Sequence, residues 1–427
     1  MSFKSKILVL SLSGVFAIYA MIGGLPAIGG LLTSSAQQTV NDPNAQLKIL
    51  EEVLGHIQND YVDVPDFEKV RQGGLKGIAD GLDPFSAYLN ADLARELSDK
   101  KTASLVGIGA EYSQVAGYLY VIAVTKGSNA DKAGIRSGDY FEYVDGKATR
   151  DISLYEAKRL VSGEAGTTVT LRVLRSGEKP RTVKVTRGAA KIPSPEVRIE
   201  NDKAAVIKLF GIDESTTSEL RTVITNVTRQ GAQRMVLDLR GVSTGTLEQG
   251  AAVANLFIRD GNLATLIGKE NKPLRSFAAD AAKTIFDGPV VLVTDLSTSG
   301  ASEVVAAAFK ERKRGEIVGE RTFGMGTDQT FFPHSSGGGY LLTVARWASP
   351  SGTPFFGEDR NSMGVKPTVE VKRPDSIEPI ESDSLLDQDP NDQPKPGATP
   401  KTASPAAQED VQMKKALELV AAAAKAA

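Results

Sequence analysis

The sequence predicts a multidomain chain that mixes α+β and α/β architecture. A helical N-terminal region comes first, then a small β-rich module, then an α/β layered core. Three observations predict it. At 427 residues the chain exceeds one small domain. Apolar residues recur at helical spacing before Asp83, whereas β-branched and aromatic runs dominate from about Val106 to Arg187. From about Ala204 to Val371, strand-like and helix-like segments alternate.

The bulk composition removes several function classes. Hydrophobic residues make up 41% and charged residues 24%, ordinary values for a globular protein. A net charge of −2 argues against nucleic acid as a partner. The absence of cysteine excludes disulfides, thiolate metal sites and a thiol nucleophile. Two histidines, His56 and His334, cannot build a His-rich metal centre. No metal and no cofactor is expected.

The elements follow in order. Lys4 and Lys6 precede an apolar run from Ile7 to about Leu32. That run exceeds the roughly 20 residues that span a bilayer. Residues 1–36 read as a signal anchor or a cleaved signal, since Ser34-Ser35-Ala36 offers small residues for cleavage. The expectation is an exported protein, periplasmic or otherwise extracytoplasmic, tethered to the inner membrane through this segment. Residues 45–100 read as a helical region with helices over Leu47–Tyr61 and Phe67–Leu82, the second stopped by Asp83-Pro84.

Residues 104–188 form the β-rich module. Its strands are Tyr118–Val124, Tyr140–Val144, Val169–Leu174 and Arg181–Thr186, with short helices near Ala130–Ala133 and Ser153–Leu160. The core, residues 189–373, has strands over Ala204–Phe210, Met235–Leu239, Val290–Val293, Glu316–Val318 and Tyr340–Ala345. Its helices cover Glu214–Arg229, Leu247–Phe257 and Ala301–Arg312. Residues 374–409 have the composition of a disordered linker, and 410–427 contain a last helix, Val411–Ala424, of unassigned role.

Several phrases carry a resemblance. They are Leu82-Asp83-Pro84-Phe85-Ser86-Ala87-Tyr88-Leu89, Val106-Gly107-Ile108-Gly109-Ala110, Ala133-Gly134-Ile135-Arg136-Ser137-Gly138-Asp139, Asp238-Leu239-Arg240, and the stretch from Asp295 to Gln329. Together they resemble the carboxyl-terminal processing proteases, S41 serine peptidases that carry a PDZ domain. The resemblance implies capture of the C-terminal segments of exported proteins by strand addition in a PDZ groove. Gly107, Ile108, Gly109 and Ala110 would form the carboxylate-binding loop, and the helix from Ser153 to Leu160 the opposite wall. A turn between strands explains the same glycines.

In the family a Ser before a helix gives its proton to a Lys that follows a Phe-Gly pair. Here the Lys position is Met325, whose thioether is no useful base. The family nucleophile lies three residues before a Glu. Aligned on Ser302-Glu303, that position is Gly300, with Ser299 one residue upstream. A bulge would bring Ser299 into place as nucleophile; capping of the following helix explains the same serine. Gln329 matches the Gln that orients the Lys in the family. Val242-Ser243-Thr244 replaces the family's Asn-Pro-Gly in the oxyanion loop, where Thr244 would offer its N–H or simply belong to a strand-to-helix loop. His334 is another candidate base, while Lys310, Lys313 and Arg314 look solvated. Two expectations stand: a serine endopeptidase acting through Ser299, or a catalytically silent peptide-binding scaffold. The oligomeric state is not legible.

Overall fold

The computed structural model describes residues 42–99, 104–200, 203–335, 337–357, 362–373 and 410–426. The expected leader, 1–36, and linker, 374–409, lie outside the described residues. The chain divides into two compact units, residues 1–74 and 75–427. In the first, Asp42 caps helix α1 (Pro43–Asp60), its carboxylate accepting from Asn44 N, and Pro43 supplies a preset φ. Leu47, Leu50 and Leu54 on α1 are exposed. Helix α2 (Phe67–Asp80) follows. Among the described residues no helix is long and apolar enough to cross a membrane.

The expected helical region over 45–100 is corrected at its C-terminal end. Asp83 Oδ1 accepts from Phe85 N and Ser86 N, turning the chain out of the helical pattern. It enters strand β1 (Ala87–Leu89), then helix α3 (Ala91–Ser98). β1 pairs with a strand of the core, so this stretch belongs to the second unit.

The β-rich module follows: β2 (Ala110–Val115), β3 (Tyr118–Val124), helix α4 (Asn129–Lys132), β4 (Tyr140–Val144), β5 (Lys147–Ala148), helix α5 (Leu154–Val161), β6 (Thr168–Leu174) and β7 (Arg181–Thr186). The strand order is β2-β3-β4-β6-β7, with β5 on β4, so β2 is an edge strand. Ile108, Leu119, Val121, Phe141 and Leu171 fill the module's core. Ser153 starts α5, its hydroxyl accepting from Glu156 N.

The core domain is built on a sheet of six strands. These are β8 (Glu196–Ile199), β9 (Ala204–Lys208), β10 (Arg234–Asp238), β13 (Val290–Thr294), β14 (Ile317–Gly319) and β17 (Val369–Glu370), in the order β17-β14-β13-β10-β9-β8. All neighbours are parallel except β8 on β9. Parallel strands buried on both faces need continuous apolar sequence, as in Val290–Val293. Helices α6 (Thr216–Arg229), α7 (Leu247–Asn255) and α8 (Ala301–Glu311) contribute Leu220, Val253 and Val304 to one apolar cluster, together with Leu237 and Leu292 of the sheet. On the other face Val206, Val236, Val293 and Val318 meet Met413, Ala416 and Val420 of helix α9 (Val411–Ala426). Asp410 anchors that helix by accepting from Arg240 Nη1 and Nη2 at 2.9 and 2.8 Å. The last helix therefore has a structural role: it closes the sheet. A second sheet joins β1, β11 (Asn262–Ile267), β12 (Pro273–Ala278), β15 (Thr327–Pro333) and β16 (Gly339–Ala348).

Candidate functional site

β10 and β13 run parallel in register, Asp238 beside Val293, so the loops that follow them meet at one end of the sheet. Asp295 ties the loops together. Its Oδ1 accepts from Gly241 N at 3.1 Å and Ser297 N at 3.0 Å. The Thr298 hydroxyl lies 3.0 Å from the Leu239 carbonyl. Ser299 N then donates to the Val242 carbonyl at 2.9 Å. The chain turns at Gly300, with φ 61° and ψ −119°, and α8 starts at Ala301. A strand, a sharp positive-φ turn and a helix make the elbow that presents a nucleophile in hydrolases. Here the residue at the apex is a glycine.

The reading of Ser299 is corrected on both counts. Ser299 is fully buried, its Oγ has no hydrogen-bond partner among the described residues, and it does not line the cavity at the elbow. No bulge carries it to the apex, because its N–H is held by the Val242 carbonyl and by Ser302 Oγ at 3.0 Å. Nor does it cap α8: Gly300 occupies the N-cap position. A Cβ built on Gly300 would meet only the Ser243 carbonyl at 3.5 Å and Trp347 at 3.9 Å. The apex thus has room for a side chain that the sequence does not supply.

A cavity of about 490 Å³ opens beside the elbow. Thr244, Gly245 and Gly300 line one part of it, and Met325, Gln329 and Trp347 the next. At its other end stand Leu154, Tyr155, Lys158 and Ser162, on and just after α5, with Leu105 and Glu111. One cavity therefore runs from the wall of the β-rich module to the elbow.

Thr244 has two tasks. Its hydroxyl accepts from Ile212 N at 2.9 Å, which pins the loop. The N–H groups of Ser243, Thr244 and Gly245 donate to no protein group among the described residues. Free backbone donors beside an elbow are suited to developing negative charge, and side chains do not have to supply them. Met325 is half-buried and packs against apolar clusters of the β-rich module. Gln329 Nε2 donates to Thr327 Oγ1 at 2.7 Å; it reaches the cavity but has no amine to orient. His334 lies beyond β15 and does not line the cavity. Lys310 donates to the Lys366 carbonyl. Arg314 is not solvated as expected: it is half-buried and donates to the carbonyls of Phe257, Phe286 and Gly288.

Glu303 is the residue that the sequence reading missed. It is fully buried. Oε2 accepts from Gly300 N at 2.9 Å and Met325 N at 2.8 Å; Oε1 accepts from Gly324 N at 2.7 Å and from the Thr322 hydroxyl. One carboxylate thereby fixes the nucleophile position relative to the base position. Burial pushes its carboxyl up to about 7, against those four donors, which favour the ionised form. With both oxygens engaged and no face on the cavity, it cannot act as the missing base. The available signal was a lone charge in the otherwise apolar and small run Ala301–Phe309.

In the β-rich module, the carbonyls of Gly107, Ile108 and Gly109 accept from Gly188 N, Ala130 N and Thr125 N, each at 2.9 Å. Their N–H groups donate to no protein group among the described residues. Ala110 begins edge strand β2. Gly109 has φ 86°, and a Cβ there would lie 2.3 Å from Ser128 Cβ. The loop presents three successive free donors next to an unpaired strand edge, the arrangement that receives a peptide carboxylate.

Comparison with known proteins agrees with this geometry. Residues 203–371 match the model of peptidase family S41, and residues 120–175 match the PDZ domain. The carboxy-terminal processing protease CtpA of Bacillus subtilis is 31% identical over 340 residues, covering 79% of this chain and 72% of that protein. The carboxy-terminal-processing protease of Bartonella bacilliformis is 28% identical over 364 residues, covering 84% of this chain and 82% of that protein. Among solved structures, the photosystem II D1 C-terminal processing protease has a TM-score of 0.60 at 29% identity, covering 75% of this chain and 92% of that one. The sequence frame, the elbow and these relatives lead to one conclusion: the chain belongs to the carboxy-terminal processing proteases of peptidase family S41 and carries their PDZ domain.

Proposed function

We propose that this chain captures the C-termini of exported proteins in its PDZ groove, and that its peptidase-like site hydrolyses them very slowly or not at all. The observation that carries the reading is Gly300 at the apex of the elbow, with Met325 at the base position. Nucleophilic attack and proton transfer need a nucleophilic group and a proton acceptor, and neither stands at those two positions. Base catalysis commonly contributes roughly 10²–10⁴-fold, so its loss alone would hide activity. Capture, in contrast, rests on the Gly107–Gly109 backbone and the open edge of β2.

Hydrolysis is the second reading. It is supported by the processing activity in the relatives' names, by Gln329 and by the free donors of the Ser243–Gly245 loop. One assay separates the two. The purified full chain is incubated with unstructured substrates that end in apolar residues, and fragments are followed by mass spectrometry. No cleavage above background is expected. Robust turnover that survives removal of contaminating proteases would overturn the silent reading.

The same proposal places the chain across a membrane, on the strength of Lys4, Lys6 and the apolar run that follows. Protease accessibility in fractionated cells checks this. A body confined to the cytoplasmic side defeats it.

A further inference from the structure

We infer that Lys158 makes the groove selective for C-termini that carry an acidic side chain at the antepenultimate position. The inference rests on the reading above, that the Gly107–Gly109 loop receives the terminal carboxylate.

The placement follows from two rises. Val106 and Gly163 exchange backbone hydrogen bonds at 2.9 and 3.0 Å, and a Cβ on Gly107 would lie 4.0 Å from Ser162 Oγ. The carboxylate loop is therefore next to the C-terminal end of α5. From Ser162 back to Lys158 is four residues, about 6 Å of helix at roughly 1.5 Å per residue. Two residues of extended peptide cover nearly the same length at roughly 3.3 Å each. A peptide added along β2 thus sets its antepenultimate residue beside Lys158. Side chains two apart on a strand share a face, so the terminal and antepenultimate side chains both face α5.

The charges around this point distinguish Lys158 from its neighbours. Arg159 Nε is engaged by Glu96 Oε2 at 2.6 Å. Lys158 has three donors, and its single ion pair among the described residues is with Glu111 Oε2 at 4.0 Å, both side chains being partly exposed. Glu111 sits where the pairing of β2 with β3 is irregular, between Glu111 and Tyr112, and it lines the same cavity as Lys158. An incoming peptide strand separates that loose pair. It leaves Lys158 facing the antepenultimate side chain. Tyr155 also lines the cavity here; burial raises its hydroxyl pKa, so it adds no charge near neutral pH.

The test uses calorimetry on the full chain with decapeptides ending in alanine. Three free-acid peptides carry Asp, Asn or Lys at the antepenultimate position, and a fourth is the Asp peptide with an amidated C-terminus. Asp is expected to bind about fivefold more tightly than Asn at low salt, the range of an exposed ion pair, with Lys weakest and the gap closing as salt rises. Lys158→Ala should erase the preference for Asp over Asn, and Lys158→Glu should reverse the order of Asp and Lys. Equal binding of Asp and Asn, or an Asp preference that survives Lys158→Ala, overturns the assignment while leaving carboxylate capture intact. Equal binding of acid and amide overturns carboxylate capture, and the placement of Lys158 with it.

Discussion

At the Gly107–Gly109 loop three backbone N–H groups have no partner among the described residues and stand beside an open strand edge; at the elbow the backbone is shaped for chemistry but the apex is Gly300. The loop and the elbow differ in what they ask of the sequence. Peptide capture needs backbone donors in the right conformation, and a few glycines and a buried Ile108 suffice to set them. Oxyanion stabilisation also works through backbone, and the Ser243–Gly245 donors remain available although the residues there differ from the family pattern. Nucleophile and base are side-chain tasks, so one residue change at each position removes them. The contrast teaches that a frame can be complete to the level of φ and ψ while the side chains at the nucleophile and base positions are Gly300 and Met325.

The sharpest way to break that contrast is to supply the missing side chains. Gly300→Ser with Met325→Lys is expected to create peptide hydrolysis roughly 10²-fold or more above the unaltered chain, and neither substitution alone should do so. A Cβ at the apex meets nothing closer than 3.5 Å, so the cost is the positive φ, about 1–3 kcal/mol. Fragment analysis on the substrates described above measures it. Hydrolysis in the single Met325→Lys variant would mean that some group other than Gly300 supplies the nucleophile.

The capture end is broken more simply. Gly109→Ala places a Cβ 2.3 Å from Ser128 Cβ at φ 86°. Loss of roughly 2–5 kcal/mol of stability is expected from overpacking and strain together. Peptide affinity should fall with it, by about tenfold or more, as the three donors lose their alignment. Thermal unfolding and calorimetry read the two effects separately. Unchanged peptide affinity in a folded variant would show that the loop is only structural.

The smallest expected effect sharpens the catalytic end. Glu303 has its folded pKa raised to about 7 from an ordinary 4.5. Between those values the folded state binds the proton and the unfolded state does not, so stability falls as pH rises through that window. Glu303→Gln removes the titration. The stability difference between the unaltered chain and this variant, taken from denaturant curves, should shift against the unaltered chain as pH rises from about 4.5 to about 7. A difference that is flat across that range would mean that Glu303 does not titrate there, and that its four donors outweigh its burial.

The expected alternation of strand and helix from Ala204 to Val371 appears as a parallel sheet with helices α6, α7 and α8. Patterns such as Val290–Val293 or Leu220, Ile224 and Val227 report burial directly, and burial is what periodicity encodes. The base position was legible for the same local reason: Met325 stands at a fixed distance from a recognisable Gly-Glu-Arg-Thr-Phe-Gly phrase. Strands β1, β11, β12 and β15 were not legible. They are short or carry mixed polarity, and pairing partners far along the chain define them, as β1 shows on β16.

The sequence by itself determined the apolar segments, the turn at Asp83-Pro84, the glycines of both loops and the absence of a Lys at Met325, because each is a property of a residue and its near neighbours. Only the tertiary structure decided which of Ser299 and Gly300 stands at the apex. A shift of one residue is invisible to spacing, but it is fixed by the Val242 carbonyl and Ser302 Oγ, which hold Ser299 N–H, and by the Glu303 carboxylate, which holds Gly300 N–H. Only the tertiary structure gave α9 its role as well. Its partners Val206, Val236 and Val293 lie more than a hundred residues away in the chain and become a surface only once the sheet has formed.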